Sequence, residues 1–113
     1  MMDLEAVTER AGPRQFGPSD DMPEEYRTAA TRMIQFHANS EVMGGYLDKE
    51  FTRKAPSLDR KLANTAKVQD EIGHAQLLYR AAETLGVKTR EEMLDELANG
   101  EGKFLNCLHY PVD

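Results

Sequence analysis

The chain has 113 residues, of which 40% are hydrophobic and 30% are charged, and it contains a single cysteine, Cys107. This composition is typical of one soluble globular domain, and a lone cysteine excludes an intrachain disulfide and a zinc site built from several cysteines. The net charge of -6 argues against nucleic acid as a partner, because no basic stripe with interleaved aromatic residues accompanies it. The sequence has neither an apolar run of 18 residues nor a signal-peptide core, so we expect a cytoplasmic protein without a membrane span.

The sequence predicts an all-α protein, because no alternation typical of strands occurs. Residues 1–21 mix Gly, Pro, Asp and Arg without apolar periodicity, and we interpret them as a flexible N-terminal arm. A first helix is predicted over residues 22–47, with acidic residues in its first turn and Gly44 and Gly45 as its stop.

Capping residues mark two further helices. Ser57 is a good N-cap for a second helix of about 28 residues that ends at Gly86. Thr89 with Glu92 three positions later forms a capping box, and Gly100 ends the short third helix. The tail from residue 101 has only weak patterns.

The helix lengths predict an incomplete bundle. A helix of about 28 residues is roughly 40 Å long, which is more than a globule of this size needs. Two long antiparallel helices and one short helix leave the inner face of a hairpin uncovered. We therefore interpret residues 22–113 as one half of a helical bundle.

Ionisable residues interrupt the apolar stripe predicted for each long helix. On the second helix, a spacing of three and four residues predicts one core-facing stripe of Glu71, His74, Leu78, Ala81 and Leu85. The equivalent stripe on the first helix is Ala30, Ile34, His37, Glu41 and Gly44 or Gly45. An unpaired carboxylate inside a protein costs several kcal/mol, so a cation is expected beside these groups.

The spacing favours a metal as that cation. Glu71 and His74 lie three residues apart and project side by side, and Glu41 supplies a carboxylate from the neighbouring helix. One Glu and one Glu-x-x-His are half of the ligands of a ferritin-like di-iron centre. Carboxylate and imidazole ligands with open positions suit iron that binds O2. Asp70 and His37 are candidates for orienting these ligands.

Simpler interpretations compete with the metal site. Glu-x-x-His is common on exposed helices, and His37 is more often a hydrogen-bonded core histidine than a functional one. Asp70 is then only a solvated neighbour, and Lys67 forms an ordinary ion pair with Glu71 one turn later.

Several longer stretches resemble a known family. The stretches "MPEEYR", "HANSE", "APSLDRKLANTAKVQDEIGH", "LYRAAETLG" and "HYP" span residues 22–111 almost continuously. They resemble the catalytic subunits of ring 1,2-phenylacetyl-CoA epoxidases. The resemblance implies a ferritin-like di-iron monooxygenase that adds one oxygen atom of O2 to the aromatic ring of phenylacetyl-CoA in aerobic phenylacetate breakdown.

The resemblance also implies roles for individual residues. It assigns Glu41, Glu71 and His74 as iron ligands, in agreement with the stripes, and no catalytic residue beyond them. Three basic residues match family positions suited to the anionic CoA, namely Lys67, Lys103 and Arg32. Arg32 precedes Glu41 by nine residues, which places any CoA contact there outside the bundle. Phe36 departs from the family pattern, where a polar residue is expected.

Family members continue beyond "HYP" into helices that carry the remaining ligands, so this chain resembles the N-terminal half of an epoxidase catalytic subunit. The implied partners are a structural bundle subunit, small accessory subunits and a reductase with flavin and an iron–sulfur cluster. A homodimer is a second possible source of ligands, because a two-fold interface duplicates each one.

Two other functions remain open at this point. Ligand spacing does not identify a substrate, so a benzoyl-CoA epoxidase or a rubrerythrin-like peroxidase fits the same residues. The third interpretation is a non-catalytic helical fragment that only pairs with another bundle subunit.

Overall fold

The structure, a computed structural model, describes residues 16, 17 and 20–109 and consists of helices joined by short connections. The elements are α1 (Glu24–Lys54), α2 (Leu58–Thr84), α3 (Arg90–Ala98) and a short 3-10 helix (Asn106–His109). No strand occurs within the described residues, which confirms the predicted all-α class.

Helix α1 is longer than predicted, because it continues through the two glycines that were interpreted as its stop. A Cβ atom on Gly45 would lie 3.0 Å from Cδ1 of Ile72, so glycine allows α2 to approach closely at this point. The helix ends instead at Ala55, whose extended backbone (φ -62°, ψ 138°) is typical of a residue that precedes proline.

The predicted ends of the second and third helices are confirmed. The Ser57 hydroxyl accepts a hydrogen bond from the backbone N–H of Arg60, and Gly86 after α2 has a φ of 78°. Thr89 and Glu92 form the reciprocal capping box, and Gly100 after α3 has a φ of 80°. Positive φ favours glycine because it has no Cβ atom.

Helices α1 and α2 form an antiparallel hairpin closed by a three-residue turn. Polar contacts join residues ever farther from the turn: Lys61 Nζ to the Arg53 carbonyl (2.8 Å), Asn64 Nδ2 to the Asp48 carbonyl (2.8 Å), the Tyr79 hydroxyl to Asn39 Oδ1 (2.5 Å) and Arg27 Nη1 to the Leu85 carbonyl (2.6 Å). These contacts fix the register of the hairpin along its whole length.

The core of the hairpin differs from the predicted stripes. It consists of Ala38 on α1, Met93 on α3 and three residues of α2, namely Ala75, Tyr79 and Ala82. Within the predicted α2 stripe only Leu85 is buried, Glu71 and Leu78 are half-buried, and His74 and Ala81 are exposed.

The stripe predicted for α1 is displaced in the same way. His37 is exposed, the other members are half-buried apart from Gly45, and the buried positions are Thr31, Gln35, Ala38, Asn39, Ser40 and Gly45. The small side chains bring the helices close together, and hydrogen bonds satisfy the buried polar ones. The predicted stripes therefore border an open side of the hairpin.

Large apolar side chains remain exposed on the hairpin, including Met33 and Phe51 on α1 and Leu77 on α2, which is 67% exposed. The radius of gyration is 18.0 Å, whereas a compact domain of this length has about 13 Å. Both observations agree with the prediction that a face of the hairpin is left uncovered. Within residues 16, 17 and 20–109, none of the helices combines the length and apolarity needed to cross a bilayer.

Most of the predicted N-terminal arm, residues 1–21, lies outside the described residues. In its described part, the ring of Phe16 packs against that of Tyr26 on α1 with centroids 5.1 Å apart. The next polar contact is made by Arg27, whose Nη2 donates to the carbonyl of Asp20.

Candidate metal centre

Two carboxylates from different helices lie together on the open side of the hairpin. Glu41 of α1 and Glu71 of α2 have side chains that are 25% and 18% exposed, respectively. Both line a cavity of about 580 Å³ between the hairpin and the tail that follows α3. The structure therefore brings together the two carboxylates that the sequence predicts as ligands.

The carboxylate of Glu71 is the most constrained group of this cavity. Its Oε2 atom is buried and has no hydrogen-bond partner within the described residues. It also lies 3.5 Å from the place where a Cβ atom on Gly44 would be, so glycine leaves room for it. Burial is the main cause that raises the pKa of Glu71, and the nearby carboxyl groups of Asp48 and Glu41 add to this effect.

A lysine partly offsets this accumulation of negative charge. Lys67 Nζ lies 3.1 Å from Asp48 Oδ2 and 3.7 Å from Glu71 Oε1. The hydrogen bond to Asp48 is the main cause that raises the pKa of Lys67, and Lys67 in turn lowers the pKa of Glu71. The ion pair expected from the spacing of Lys67 and Glu71 is thus present. The role of Asp48 was missed, because its partner lies 19 positions away on the other helix.

The predicted imidazole and outer residues lie at the edge of this site. Nε2 of His37 is 3.5 Å from Oε1 of Glu41, and the His37 side chain is 63% exposed. His74, one turn after Glu71, is exposed, as is Asp70. Among the described residues, no three His, Cys, Asp or Glu side chains converge closely enough to hold a metal ion. The structure places His37 beside Glu41 and leaves His74 apart from the carboxylates.

The donor groups nevertheless fit one half of a di-iron carboxylate centre. An unpaired, buried carboxylate oxygen on Glu71 requires a positive partner, because an uncompensated charge in this position is costly. Glu41 supplies a second carboxylate from the opposite helix, and His74 follows Glu71 at the spacing of a Glu-x-x-His pair. Carboxylate and imidazole donors are ligands that suit iron.

The same cavity has an apolar wall that the sequence did not reveal. Its apolar lining residues are Leu47 and Phe51 of α1 and Leu105 and Leu108 of the tail. Cys107 also lines it and is a free thiol. Patterning had predicted nothing for the tail, because contacts with α1 rather than helical periodicity hold it in place. An apolar group of moderate size fits beside the carboxylates.

The three basic residues expected at CoA occupy two different places. Arg32 and Lys103 line a second cavity of about 670 Å³, which Lys88 also lines. Nine residues separate Arg32 from Glu41, so this cavity is on the opposite side of α1 from the carboxylates. Lys67 contacts Asp48 and Glu71 instead. The structure therefore groups Arg32 with Lys103 and separates Lys67 from both.

Comparisons with known proteins agree with the resemblance seen in the sequence. A family model described as phenylacetic acid catabolic protein matches residues 3–113. The chain is also 43% identical over 95 residues to the catalytic-complex relative named as one of the subunits of 1,2-phenylacetyl-CoA epoxidase in Escherichia coli (strain K12). The match covers 84% of this chain, whereas the chain spans only 30% of the length of that relative.

Proposed function

Because this chain belongs to the phenylacetic acid catabolic protein family, we propose that it forms the N-terminal part of the oxygenase subunit of a phenylacetyl-CoA epoxidase. One observation carries the chemical side of this proposal. The Glu71 carboxylate is held on the open face of a helix hairpin with one buried oxygen unpaired, near Glu41 of the other helix. A ferritin-like bundle uses such a pair of carboxylates as iron ligands.

In the intact centre, Glu41, Glu71 and His74 hold iron, and helices that cover the open face contribute the remaining ligands. Iron, when bound, supplies the activation of O2. The protein's part is to hold the carboxylates in place and to keep water away from them. Asp48 anchors Lys67, whose ammonium group favours the ionised form of Glu71. His37 and Asp70 flank the ligands and orient them.

The substrate divides between the two cavities. The apolar wall formed by Leu47, Phe51, Leu105 and Leu108 accepts the aromatic ring beside the carboxylates. Arg32 and Lys103 bind the anionic phosphates of CoA in the cavity on the other side of α1. One oxygen atom of O2 enters the ring, and the other leaves as water after uptake of two electrons and two protons.

The electrons come from outside this chain. The relative from Escherichia coli is named as one subunit of its enzyme, which implies partner subunits there. For this protein we propose a structural bundle subunit, small accessory subunits and a flavin and iron–sulfur reductase in the cytoplasm. A homodimer is the alternative cover for the open face, and a non-catalytic pairing fragment is the alternative function. The exposed Met33 and Leu77 support some covering partner in either case.

A chimera tests the proposed activity directly. The 95 residues of the Escherichia coli relative that match this chain are replaced by those of this chain, and the complex is assembled with its reductase. We expect O2-dependent formation of the ring epoxide from phenylacetyl-CoA, with less product from benzoyl-CoA. Product from benzoyl-CoA alone would identify the other epoxidase.

Two variants show whether the carboxylate is responsible. Glu71→Ala in the chimera is expected to abolish product formation, whereas Glu91→Ala, which changes an exposed glutamate of α3, is expected to retain it. A folded, fully assembled chimera without activity toward either substrate would support the non-catalytic alternative.

A further inference from the structure

The side chain of Asn39 joins three parts of the fold at a buried position. It is 1% exposed, and its Oδ1 accepts a hydrogen bond of 2.5 Å from the Tyr79 hydroxyl on α2. Its Nδ2 donates a hydrogen bond of 3.0 Å to the backbone carbonyl of Lys103 in the tail. Asn39 belongs to the "HANSE" stretch, in which the ligand hypothesis uses only His37 and Glu41.

We propose that Asn39 is a positioning residue that holds Lys103 beside Arg32, so that the two side chains bind the phosphates of CoA together. This inference rests on the proposed function and deepens it. It concerns the amide of Asn39, which contacts the backbone of Lys103 and has no part in the carboxylate cavity.

The backbone on both sides of Lys103 is fixed in the same way. The N–H groups of Glu101 and Gly102 both donate to the Glu96 carbonyl, at 2.8 and 2.9 Å. After Lys103, the N–H of Leu105 donates to the Ser40 hydroxyl oxygen at 3.1 Å. Glu96 itself is tied to α1, because Nε2 of Gln35 donates to its carboxylate.

Close packing adds a second constraint at Gly102. A Cβ atom there would lie 2.9 Å from the Cα of Leu97 and 3.1 Å from Nδ2 of Asn39. Only a residue without a side chain lets the tail pass this closely over α1 and α3. The path of the chain into Lys103 is therefore set by Asn39, Gly102 and the end of α3.

Anchoring matters because Lys103 is exposed and its side chain is long and flexible. Fixing the backbone lowers the conformational entropy that is lost when the ammonium group binds a phosphate. The same tail continues to Leu105 and Leu108, which line the carboxylate cavity. Asn39 thus also sets the spacing between the phosphate-binding cavity and the cavity for the ring.

Two substitutions separate this role from simple stability. Asn39→Asp keeps an oxygen that accepts from Tyr79 but loses the N–H donor to Lys103. Tyr79→Phe removes the other hydrogen bond of Asn39 and leaves the donor in place. The second variant is the matched control, because it weakens the same buried network without releasing the tail.

Calorimetric titration with CoA on the 113-residue chain is the first measurement. We expect Asn39→Asp to weaken CoA binding by about tenfold, which corresponds to about 1.4 kcal/mol, and Tyr79→Phe to stay within about twofold of the wild type. Lys103→Ala should weaken binding by a similar factor. In the Lys103→Ala background, Asn39→Asp should cause no further loss, because its effect passes through Lys103.

Hydrogen exchange of the backbone amides of residues 103–105 gives a second readout. We expect faster exchange there in Asn39→Asp than in Tyr79→Phe. Equal CoA affinities in these two variants, or a further loss in the Lys103→Ala background, would overturn the inference while leaving the CoA site intact. A wild-type chain that does not bind CoA would instead refute the proposed CoA site itself, together with any positioning for it.

Discussion

The buried hydrogen bond between Tyr79 and Asn39 predicts a measurable loss of stability at alkaline pH. Burial raises the pKa of Tyr79 from 10.0 to about 12. The unfolded chain loses the phenolic proton above pH 10, whereas the folded chain keeps it for about two further pH units. The folded state therefore binds more protons in this range, and its free energy of unfolding must fall as pH rises.

The size of this effect follows from the two pKa values. One pKa unit corresponds to about 1.36 kcal/mol, so the contribution of Tyr79 falls by about 1.4 kcal/mol between pH 8 and pH 11. At pH 8, Tyr79→Phe should lower the stability by about 1–3 kcal/mol, because it leaves the buried Oδ1 of Asn39 without its donor. At pH 11 the difference between the two proteins should shrink by about 1.4 kcal/mol.

Urea unfolding followed by circular dichroism at pH 8 and pH 11 measures these differences. The exposed Tyr26 and Tyr46 titrate in both proteins, so the comparison with Tyr79→Phe isolates one residue. A difference between wild type and variant that stays constant from pH 8 to pH 11 would refute the assignment of a raised pKa to Tyr79.

Three further predictions concern the helix ends and the attachment of α3. Hydrogen bonds from Lys88 and Gln35 lower the pKa of Glu96, so its contribution to stability should be present above pH 4.5 and fall as the pH drops below it; Glu96→Gln should show a shallower loss in acid unfolding curves. Thr89→Ala should cost about 1 kcal/mol in urea unfolding because it removes the α3 capping box, whereas Thr89→Ser should restore most of it. Gly102→Ala should destabilise the chain by about 1–3 kcal/mol, since its Cβ would meet the backbone of Leu97, and an unchanged melting temperature would contradict that packing.

Local patterns predicted the ends of helices where a single residue acts on its own backbone. The Ser57 cap, the Thr89 capping box and the positive φ values of Gly86 and Gly100 all follow from local chemistry. The same reasoning gave a wrong end to α1. Gly44 and Gly45 allow close contact with α2, which is a property of the packed hairpin and is invisible in a local pattern.

The core-facing stripe was wrong for a related reason. Residues were sorted by polarity, but the buried face of α1 includes Gln35 and Asn39, whose partners Glu96 and Lys103 lie more than 60 positions away. On α2, alanines pack where larger apolar residues were expected. Polar burial of this kind depends on contacts between distant segments, so periodicity alone does not detect it.

The candidate site was predicted in part. The two carboxylates do share the open side of the hairpin, as expected from one ionisable residue on each long helix. The sequence did not reveal Asp48, because its contact with Lys67 crosses between helices, nor the tail residues that form the apolar wall. The assignment of Glu41, Glu71 and His74 as ligands stays a prediction.

Iron content of the chimera tests that assignment most directly. After anaerobic loading with Fe(II) and removal of excess metal, we expect about two iron ions per chimeric chain by elemental analysis. Glu71→Ala should lose most of this iron, and Glu91→Ala should retain it. The 113-residue chain is measured in parallel, with its mass determined by light scattering, to detect a homodimer that binds iron. Equal iron content in the chimera and its Glu71→Ala variant, with both folded, would contradict a metal centre at these carboxylates.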